Sequence, residues 1–255
     1  DFEIPLEIEN FLYSQLRETN KNQLIYSKVP TLKTFITKLF ACSLINLPIC
    51  IIGPSKMGKK SVICELAQVR PFTNNNNTIP SIRSQNDQCI NCSLGHAMQN
   101  GQIFIFDIFD FSSESLMKSL TPFLEPNNGQ SILFPGIDKP IKVNPDFFFV
   151  ICHNEKKFST NELIPKSIDS RLRYFKYPNL NADEISSICI DIALNSNKSY
   201  EIPNFLKAKL SDVAMYMIKH NKEIKHKKIM PSLSLNDIVK IIKRICFQSA
   251  NKLFY

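Results

Sequence analysis

The amino-acid sequence predicts an α/β protein in which a parallel sheet carries helices on both faces and a small all-helical lobe follows. Up to about residue 178, short apolar segments typical of buried strands alternate with segments whose apolar residues recur at helical spacing. Beyond residue 178 only the helical spacing continues. We therefore predict a core at residues 1–178, including an N-terminal segment 1–30 without a clear pattern, and a helical lid at residues 179–255.

The composition is that of an ordinary globular chain. Its 255 residues are 44% hydrophobic and 21% charged, which excludes an intrinsically disordered protein. The longest apolar runs, such as Phe147 to Cys152, are too short to span a bilayer, so we expect no membrane partner. The chain begins with Asp rather than Met and shows no signal peptide, and we expect it to be a segment of a longer protein.

The net charge and the cysteines exclude fewer classes of function than the composition does. The charge of 31 − 23 = +8 permits acidic partners such as RNA or nucleotide phosphates, or a basic face that is simply solvated. Most of the eight cysteines lie in apolar segments, which indicates reduced thiols and a reducing compartment. Cys89, Cys92 and His96 have the spacing of three zinc ligands, but no second close cysteine pair supplies a fourth, which disfavours zinc.

The individual strands and helices are predicted from apolar spacing and from the positions of Gly and Pro. Strands are predicted at 49–52, 103–107, 147–152 and 173–177, with a hairpin at 130–143. Core helices are predicted at 32–44, ended by Pro48, and at 61–69, 93–100 and 116–124. In the lid, helices are predicted from Asn181, with Glu184 in a capping box, from near Leu206 and from Ser234. We expect a loop at 70–88 and an exposed linker at 219–228.

The strongest motif follows the first predicted strand. The letters GPSKMGKKS lie between that strand and a helix, which matches the phosphate-binding P-loop, G-x-x-x-x-G-K, in the context that the motif requires. Its glycines let backbone N–H groups face a phosphate, and the helix N-terminus adds a positive dipole. We expect Lys59 to reach the outer phosphates of ATP or ADP. The predicted nucleotide-binding residues are Gly53, Pro54, Ser55, Lys56, Met57, Gly58, Lys59, Lys60 and Ser61.

The metal side of this site departs from the motif. The residue after the motif lysine should be Ser or Thr, whose hydroxyl binds Mg²⁺, but here it is Lys60, and Ser61 points about 100° away around a helix. Asp107 ends a predicted strand and fits a carboxylate that holds Mg²⁺ through water. The next residue, Ile108, cannot accept a proton or orient water. Asp110 fits a helix cap better than a replacement base. Mg²⁺ binding stays open.

Four segments, in order and spacing, resemble the midasin family, the giant six-module AAA+ ATPases of ribosome assembly. They are Cys92–Asp107, Leu124–Gly129, Asn144–Asn154 and Leu163–Leu172. The likeness covers about residues 28–178 and, more weakly, the lid up to residue 250. Within the midasin and dynein-related branch, the LEPNNG segment and the hairpin favour midasin. The resemblance implies a P-loop AAA+ fold, a three-layer parallel sheet followed by a helical lid.

The resemblance also implies roles for single residues. Asn154 would be the sensor that bonds the γ-phosphate or its attacking water, and Arg171 the arginine finger that reaches the nucleotide of the next module. A strand-end cap and a surface ion pair are the structural alternatives for these two residues. Where the family has a catalytic Glu the chain has Ile108, and where a lid arginine is often found it has Asn236.

These departures predict a module that binds ATP or ADP but hydrolyses it poorly and serves as a structural or regulatory ring position. By resemblance, the partners are neighbouring AAA+ modules of the same chain and pre-60S ribosomal particles, with direct RNA contact open. By resemblance the compartment is the nucleus, and otherwise the cytoplasm. Two alternatives remain: an AAA+ segment of a dynein-like motor, and a non-catalytic RNA-binding module with a P-loop fold.

Overall fold

The computed structural model describes residues 5–8, 10–11, 14, 24–69, 81–82, 94–107, 124, 131–133, 140–154, 166–196, 204–227, 235, 237–242 and 244. The strands are β1 (Ile49–Gly53), β2 (Ser81–Ile82), β3 (Ile103–Asp107), β4 (Ser131–Ile132), β5 (Ile141–Lys142), β6 (Phe148–Asn154) and β7 (Arg173–Lys176). The helices are α1 (Pro30–Leu44), α2 (Lys59–Val69), α3 (Lys166–Asp169), α4 (Ala182–Ser196) and α5 (Asn204–Lys227). Residues 94–99 and 237–242 are also helical, and Tyr26–Lys28 form a 3-10 turn. Within these described ranges, no helix is both long and apolar enough to cross a membrane.

Five strands form one parallel sheet in the order β2-β3-β6-β1-β7. In β1, Ile51 is level with Cys152 of β6 on one side and with Phe175 of β7 on the other. On the far side of β6, Asp107 of β3 is also level with Cys152. Because the five strands run parallel, their carboxyl ends meet at one edge of the sheet. The parallel α/β sheet that the sequence predicts is confirmed.

Helical residues cover both faces of this sheet. One face packs against residues 94–99 in a buried apolar cluster that includes Phe149, and Tyr174 lies against the same cluster. Because alternate strand residues face opposite ways, Phe175 lies on the other face. There its ring makes an edge contact with Phe35 of α1, with the centroids 6.3 Å apart. The central strands β1, β3 and β6 are buried on both sides, which explains why they are almost entirely apolar.

Helix α1 is terminated by Asn46 rather than by Pro48. Asn46 has a positive φ of 50°, and its N–H donates to the Ser43 carbonyl. The Leu47 N–H donates to the Cys42 carbonyl at 3.0 Å. This pair of bonds is the Schellman arrangement, in which an Asn or Gly in the left-handed conformation satisfies the last carbonyls of a helix. The prediction that Pro48 ends the helix was therefore wrong.

The segment predicted as a loop at 70–88 contains an edge strand. Strand β2 pairs in parallel with Ile105 and Phe106 of β3. A strand of two residues has no measurable period, so apolar spacing could not reveal it. The predicted hairpin is confirmed, since β4 and β5 pair in antiparallel register.

Two of the midasin-like segments meet at Gly101. This residue has a positive φ of 65°, and a Cβ placed on it would lie 2.8 Å from the Asn144 Oδ1. The Asn144 N–H donates to the Met98 carbonyl at 2.9 Å, and its Oδ1 accepts from the Asp146 N–H at 2.9 Å. Gly101 thus ends the helical residues 94–99 and also leaves room for Asn144, which only glycine can do at this backbone angle.

Contacts divide the chain into two units. The first comprises Asp1–Thr19, Thr34–Pro54 and Lys59–Tyr177, and it holds the five-stranded sheet. The second comprises Asn20–Lys33, Ser55–Gly58 and Pro178–Tyr255.

Within the second unit, α5 runs through most of the segment predicted as an exposed linker. The helix continues to Lys227, so the linker prediction at 219–228 was wrong. Lysine is a good helix former, and no Gly or Pro follows Asn204 until Pro231. Helix α5 is tied to α4 by the Ser211 Oγ, which donates to Asp183 Oδ1 at 2.7 Å.

The N-terminus of α4 is closed by the predicted capping box. The Glu184 N–H donates to Asn181 Oδ1 at 2.8 Å, and the Asn181 N–H donates to Glu184 Oε2 at 3.0 Å. The other Glu184 oxygen accepts from the Thr31 hydroxyl. One turn from the end of α4, Asp191 makes an ion pair with Lys28 at 3.3 Å. These bonds attach the 3-10 turn and the start of α1 to α4.

Replacing Asn181 by Ala should lower the free energy of unfolding by about 1 kcal/mol, the usual cost of losing an N-cap side chain. Urea unfolding followed by far-UV circular dichroism measures this change. Ser187→Ala is the matched control, because Ser187 is exposed in the interior of the same helix and alanine is a good helix former. Equal destabilisation by the two variants would contradict the capping role.

Candidate functional site

The loop that matches the P-loop motif joins β1 directly to α2. Strand β1 ends at Gly53 and α2 begins at Lys59, so the strand–loop–helix context is present. Gly58 has a φ of +93° and Lys56 a φ of +60°. A lysine seldom adopts this left-handed conformation, which costs about 1 kcal/mol or more. The surrounding loop therefore holds Lys56 in a backbone conformation that it would not choose alone.

The Lys59 ammonium is bound inside this loop. Its Nζ donates to the Gly53 carbonyl at 2.8 Å and to the Pro54 carbonyl at 2.6 Å. Charge-assisted bonds of this kind are stronger than bonds between neutral groups. They fix a positive charge at the carboxyl end of β1, and they oppose any opening of the loop.

Both loop glycines are in close contact with a tyrosine. A Cβ on Gly53 would lie 2.5 Å from the Tyr177 Cβ, and the Tyr177 N–H donates to the Ile52 carbonyl at 2.7 Å. A Cβ on Gly58 would lie 2.7 Å from Cε1 of Tyr26, a buried ring in the 3-10 turn. The sequence analysis did not find these tyrosines, because neither lies near the loop in the chain.

The predicted sensor lies beside the loop. Asn154, the last residue of β6, is level with Gly53 in the sheet register, and its side chain is half-buried. Asp107 ends the next strand and is level with Cys152, two residues earlier in β6. The sheet therefore brings the predicted positions 53, 107 and 154 to the same edge. The side chain of Asp107 lies outside the described residues.

A buried histidine precedes the sensor. His153 is 1% exposed, and its Nδ1 lies 2.9 Å from the Asn154 carbonyl, so this nitrogen donates the proton. This bond restrains the backbone of Asn154 and, through it, the position of the Asn154 side chain. His153 lies within the midasin-like segment Asn144–Asn154, but the sequence alone assigned it no role.

Arg171 lies at the opposite edge of the sheet. It precedes β7, whose first residue, Arg173, donates its N–H to the Pro48 carbonyl just before β1. The five residues of β1 span about 16 Å at roughly 3.3 Å per residue. The structure therefore does not bring Arg171 to the loop of its own chain.

Hydrogen bonds hold the turn that carries Arg171. The Arg171 N–H donates to the Ile168 carbonyl at 2.9 Å, and the Tyr174 hydroxyl donates to Asp169 Oδ1 across the turn. Burial, followed by this hydrogen bond, raises the pKa of the Tyr174 phenol well above its usual value. The phenol thus keeps its proton and remains a donor, which fixes the backbone on both sides of Arg171.

The residues present do not fit the P-loop magnesium site. Lys60, the second residue of α2, stands where a hydroxyl should bind the metal, and an ammonium has no lone pair to donate. The Lys60 charge also affects Cys64, one turn further along α2. Burial raises the pKa of the Cys64 thiol, and the Lys60 ammonium partly opposes this increase. In the described part of the chain, no group of three or more His, Cys, Asp or Glu side chains is placed to hold a metal ion.

Several predicted residues lie outside the described ranges. They are Ile108, Asp110, Asn236, Cys89 and Cys92. His96, the third predicted zinc ligand, is an exposed residue of the helical segment 94–99. These predictions stay as they were made.

Comparison with known proteins supports the fold and leaves the family open. No protein-family model and no curated protein matches the chain. The chain is similar to the solved structure of NtrX from Brucella abortus in complex with ADP, with a TM-score of 0.59 and 11% identity over 96% of this chain and 55% of NtrX. It also matches a point mutant of RuvB from Thermotoga maritima, with a TM-score of 0.49 and 16% identity over 84% of this chain and 69% of RuvB.

The sheet order, the P-loop and the likeness to NtrX define an α/β P-loop fold of the AAA+ type. The chain spans about half the length of the NtrX chain that it matches. Neither structure is a midasin, so the finer resemblance stays a prediction.

Replacing Gly58 by Ala should lower the free energy of unfolding by about 1–3 kcal/mol, because alanine is strained at this φ and its Cβ meets the Tyr26 ring. Urea unfolding of Gly58→Ala, Tyr26→Ala and the double variant checks this. Since Tyr26→Ala removes the clash, the double variant should lose less stability than the two single losses added together. Strict additivity would show that the ring does not constrain the loop.

Proposed function

We propose that this chain is one nucleotide-binding module of an AAA+ ring, which binds ATP or ADP and hydrolyses it poorly. The observation that carries the proposal is the Lys59 ammonium, fixed between the Gly53 and Pro54 carbonyls of a P-loop. The fold neighbour NtrX was solved with ADP, which supports an adenine nucleotide as the ligand.

The loop supplies the groups that a polyphosphate requires. Backbone N–H groups at the start of α2 and the helix dipole favour an anion at this position. Lys59 adds a full charge, and Asn154, one strand away, offers an amide to the terminal phosphate. The carboxyl edge of a parallel sheet is also where open α/β folds bind their ligands. Binding therefore uses residues that the chain retains.

Hydrolysis uses residues that the chain lacks. Ile108 follows Asp107 where a catalytic base is needed, and an isoleucine can neither accept a proton nor orient water. Loss of a general base typically slows a reaction on the order of 100- to 10,000-fold. Lys60 in place of a hydroxyl removes a magnesium ligand as well. The proposed role is accordingly a structural or regulatory position in the ring.

Arg171 is proposed to act on a neighbouring module. Its support is the separation of Arg171 from the loop of its own chain by the length of β1, together with the turn that fixes it. A guanidinium carried on a turn that hydrogen bonds fix suits the stabilisation of charge that develops on a phosphate. The neighbour would supply the complete hydrolytic site.

The parent protein is proposed to be a midasin-like ring of the nucleus that remodels pre-60S ribosomal particles. The support is the set of four midasin-like segments, two of which meet at Gly101 and Asn144. The flanking sequence tests this proposal. Five further P-loops at module spacing, an acidic linker and a C-terminal metal-adhesion domain would support it, whereas a heptad stalk would favour a dynein-like motor.

The isolated chain should bind ADP in calorimetry, and Lys59→Ala should weaken this binding by about 10-fold or more, the contribution of a charged hydrogen bond. Lys142→Ala is the matched control, because Lys142 is an exposed lysine of β5, outside the five-stranded sheet. It should leave the affinity unchanged. Equal effects of the two variants would contradict the proposed loop function.

The same protein should release phosphate from ATP no faster than the Lys59→Ala variant, as measured by a coupled phosphate assay. If the unmodified protein turns over ATP rapidly and Lys59→Ala abolishes this activity, the proposal of poor hydrolysis is wrong, although the proposal of nucleotide binding stands. Binding of RNA with a steep salt dependence that ATP does not affect would instead favour the RNA-binding alternative.

In the full-length protein, Arg171→Ala should lower the ATPase rate of the one site that it serves by about 1,000-fold, and so lower the total rate by the share of that site. Nucleotide binding by the present module should not change, because Arg171 does not lie at its own loop. Total phosphate release and binding of a fluorescent ADP analogue measure the two quantities. If Arg171→Ala weakens nucleotide binding by this module but leaves the total ATPase rate unchanged, Arg171 acts on the nucleotide of its own module.

A further inference from the structure

The P-loop carries more positive charge than its motif requires. Lys56, Lys59 and Lys60 all lie within residues 53–61, a stretch that contains no Asp or Glu. The first turn of α2 has no acidic residue either. The motif itself requires Lys59 alone, so this loop has two additional charges, as many as one Mg²⁺ ion carries.

Lys60 stands at the position of the missing metal ligand. It is the second residue of α2, it is half-buried, and it directly follows Lys59, whose ammonium is fixed at the carboxyl end of β1. A lysine ammonium has three donors on a flexible four-carbon stem and repels a divalent cation. Phosphate oxygens are acceptors that such an ammonium binds, and they are also the groups that a P-loop metal bridges.

We propose that this P-loop binds nucleotide phosphates without a divalent cation, because the Lys60 ammonium bonds the oxygens that Mg²⁺ would otherwise bridge. The inference rests on the proposed nucleotide binding and goes beyond it by defining the form of nucleotide that is bound. A single ammonium replaces half the charge of the metal, and Lys56 is a further cation of the same loop. Neither group can activate water, so a metal-free site of this kind holds its nucleotide without hydrolysing it.

The test measures ADP affinity by calorimetry on the whole chain, once with excess Mg²⁺ and once with excess EDTA. The unmodified protein should bind equally well in both. Lys60→Thr restores the hydroxyl and removes the charge, so its affinity in EDTA should fall on the order of 10- to 100-fold and should recover when Mg²⁺ is added. Lys60→Met removes the charge without supplying a ligand, so its affinity should fall in both conditions.

Two controls separate the possible failures. Lys142→Met should not change the ADP affinity with Mg²⁺ or with EDTA. Thermal unfolding of each variant identifies any variant that does not fold. If one Lys60 variant does not fold, the other is compared with the unmodified protein. If the unmodified protein binds ADP only with Mg²⁺, the metal-free site is wrong and the proposed nucleotide binding stands. If both Lys60 variants bind as tightly in EDTA as the unmodified protein, Lys60 has no such role. If the unmodified protein binds in neither condition, the proposed function itself fails.

Discussion

The parallel pairing of β1 with β6 is the contact on which the rest of the site depends. It sets Gly53 level with Asn154, so that the start of the phosphate loop and the proposed sensor lie on adjacent strands at one edge of the sheet. The Lys59 ammonium then binds the carbonyls of Gly53, the last residue of β1, and of Pro54, and closes the loop onto the end of that strand. A slip of one residue in this register would turn the Asn154 side chain to the other face of the sheet.

The loop keeps its shape through steric limits as well as hydrogen bonds. Tyr177 leaves no space for a side chain at Gly53, and Tyr26 leaves none at Gly58. Within the second unit, the 3-10 turn that carries Tyr26 is bound to α4 through the Lys28–Asp191 ion pair. The exposed ion pair contributes little by itself, so the buried ring of Tyr26 is the stronger constraint on Gly58.

The chemistry of the chain is divided between the two edges of the sheet. The carboxyl edge has the groups that are proposed to bind a polyphosphate, whereas Arg171 stands near the amino edge in a turn fixed by the Tyr174–Asp169 bond. A nucleotide bound at the first edge cannot be reached by an arginine at the second. The proposed module would hold its own nucleotide and act on another, and Lys60 after Lys59 and Ile108 after Asp107 agree with that proposal.

Apolar spacing and motifs were enough to predict the central strands, the P-loop, the capping box at Asn181 and the departure at Lys60, because each depends on residues close together in the chain. Only the tertiary structure revealed the two-residue strand β2, the continuation of α5 and the contacts of Tyr26 and Tyr177 with the loop glycines. Strand β2 has too few residues to show a period, and the two tyrosines lie far from the loop glycines in the chain. In α5, residues 219–227 contain one apolar residue, Ile224, so apolar spacing could not reveal the helix. A local pattern cannot encode which distant ring will lie against a glycine, because the path of the whole chain decides that contact.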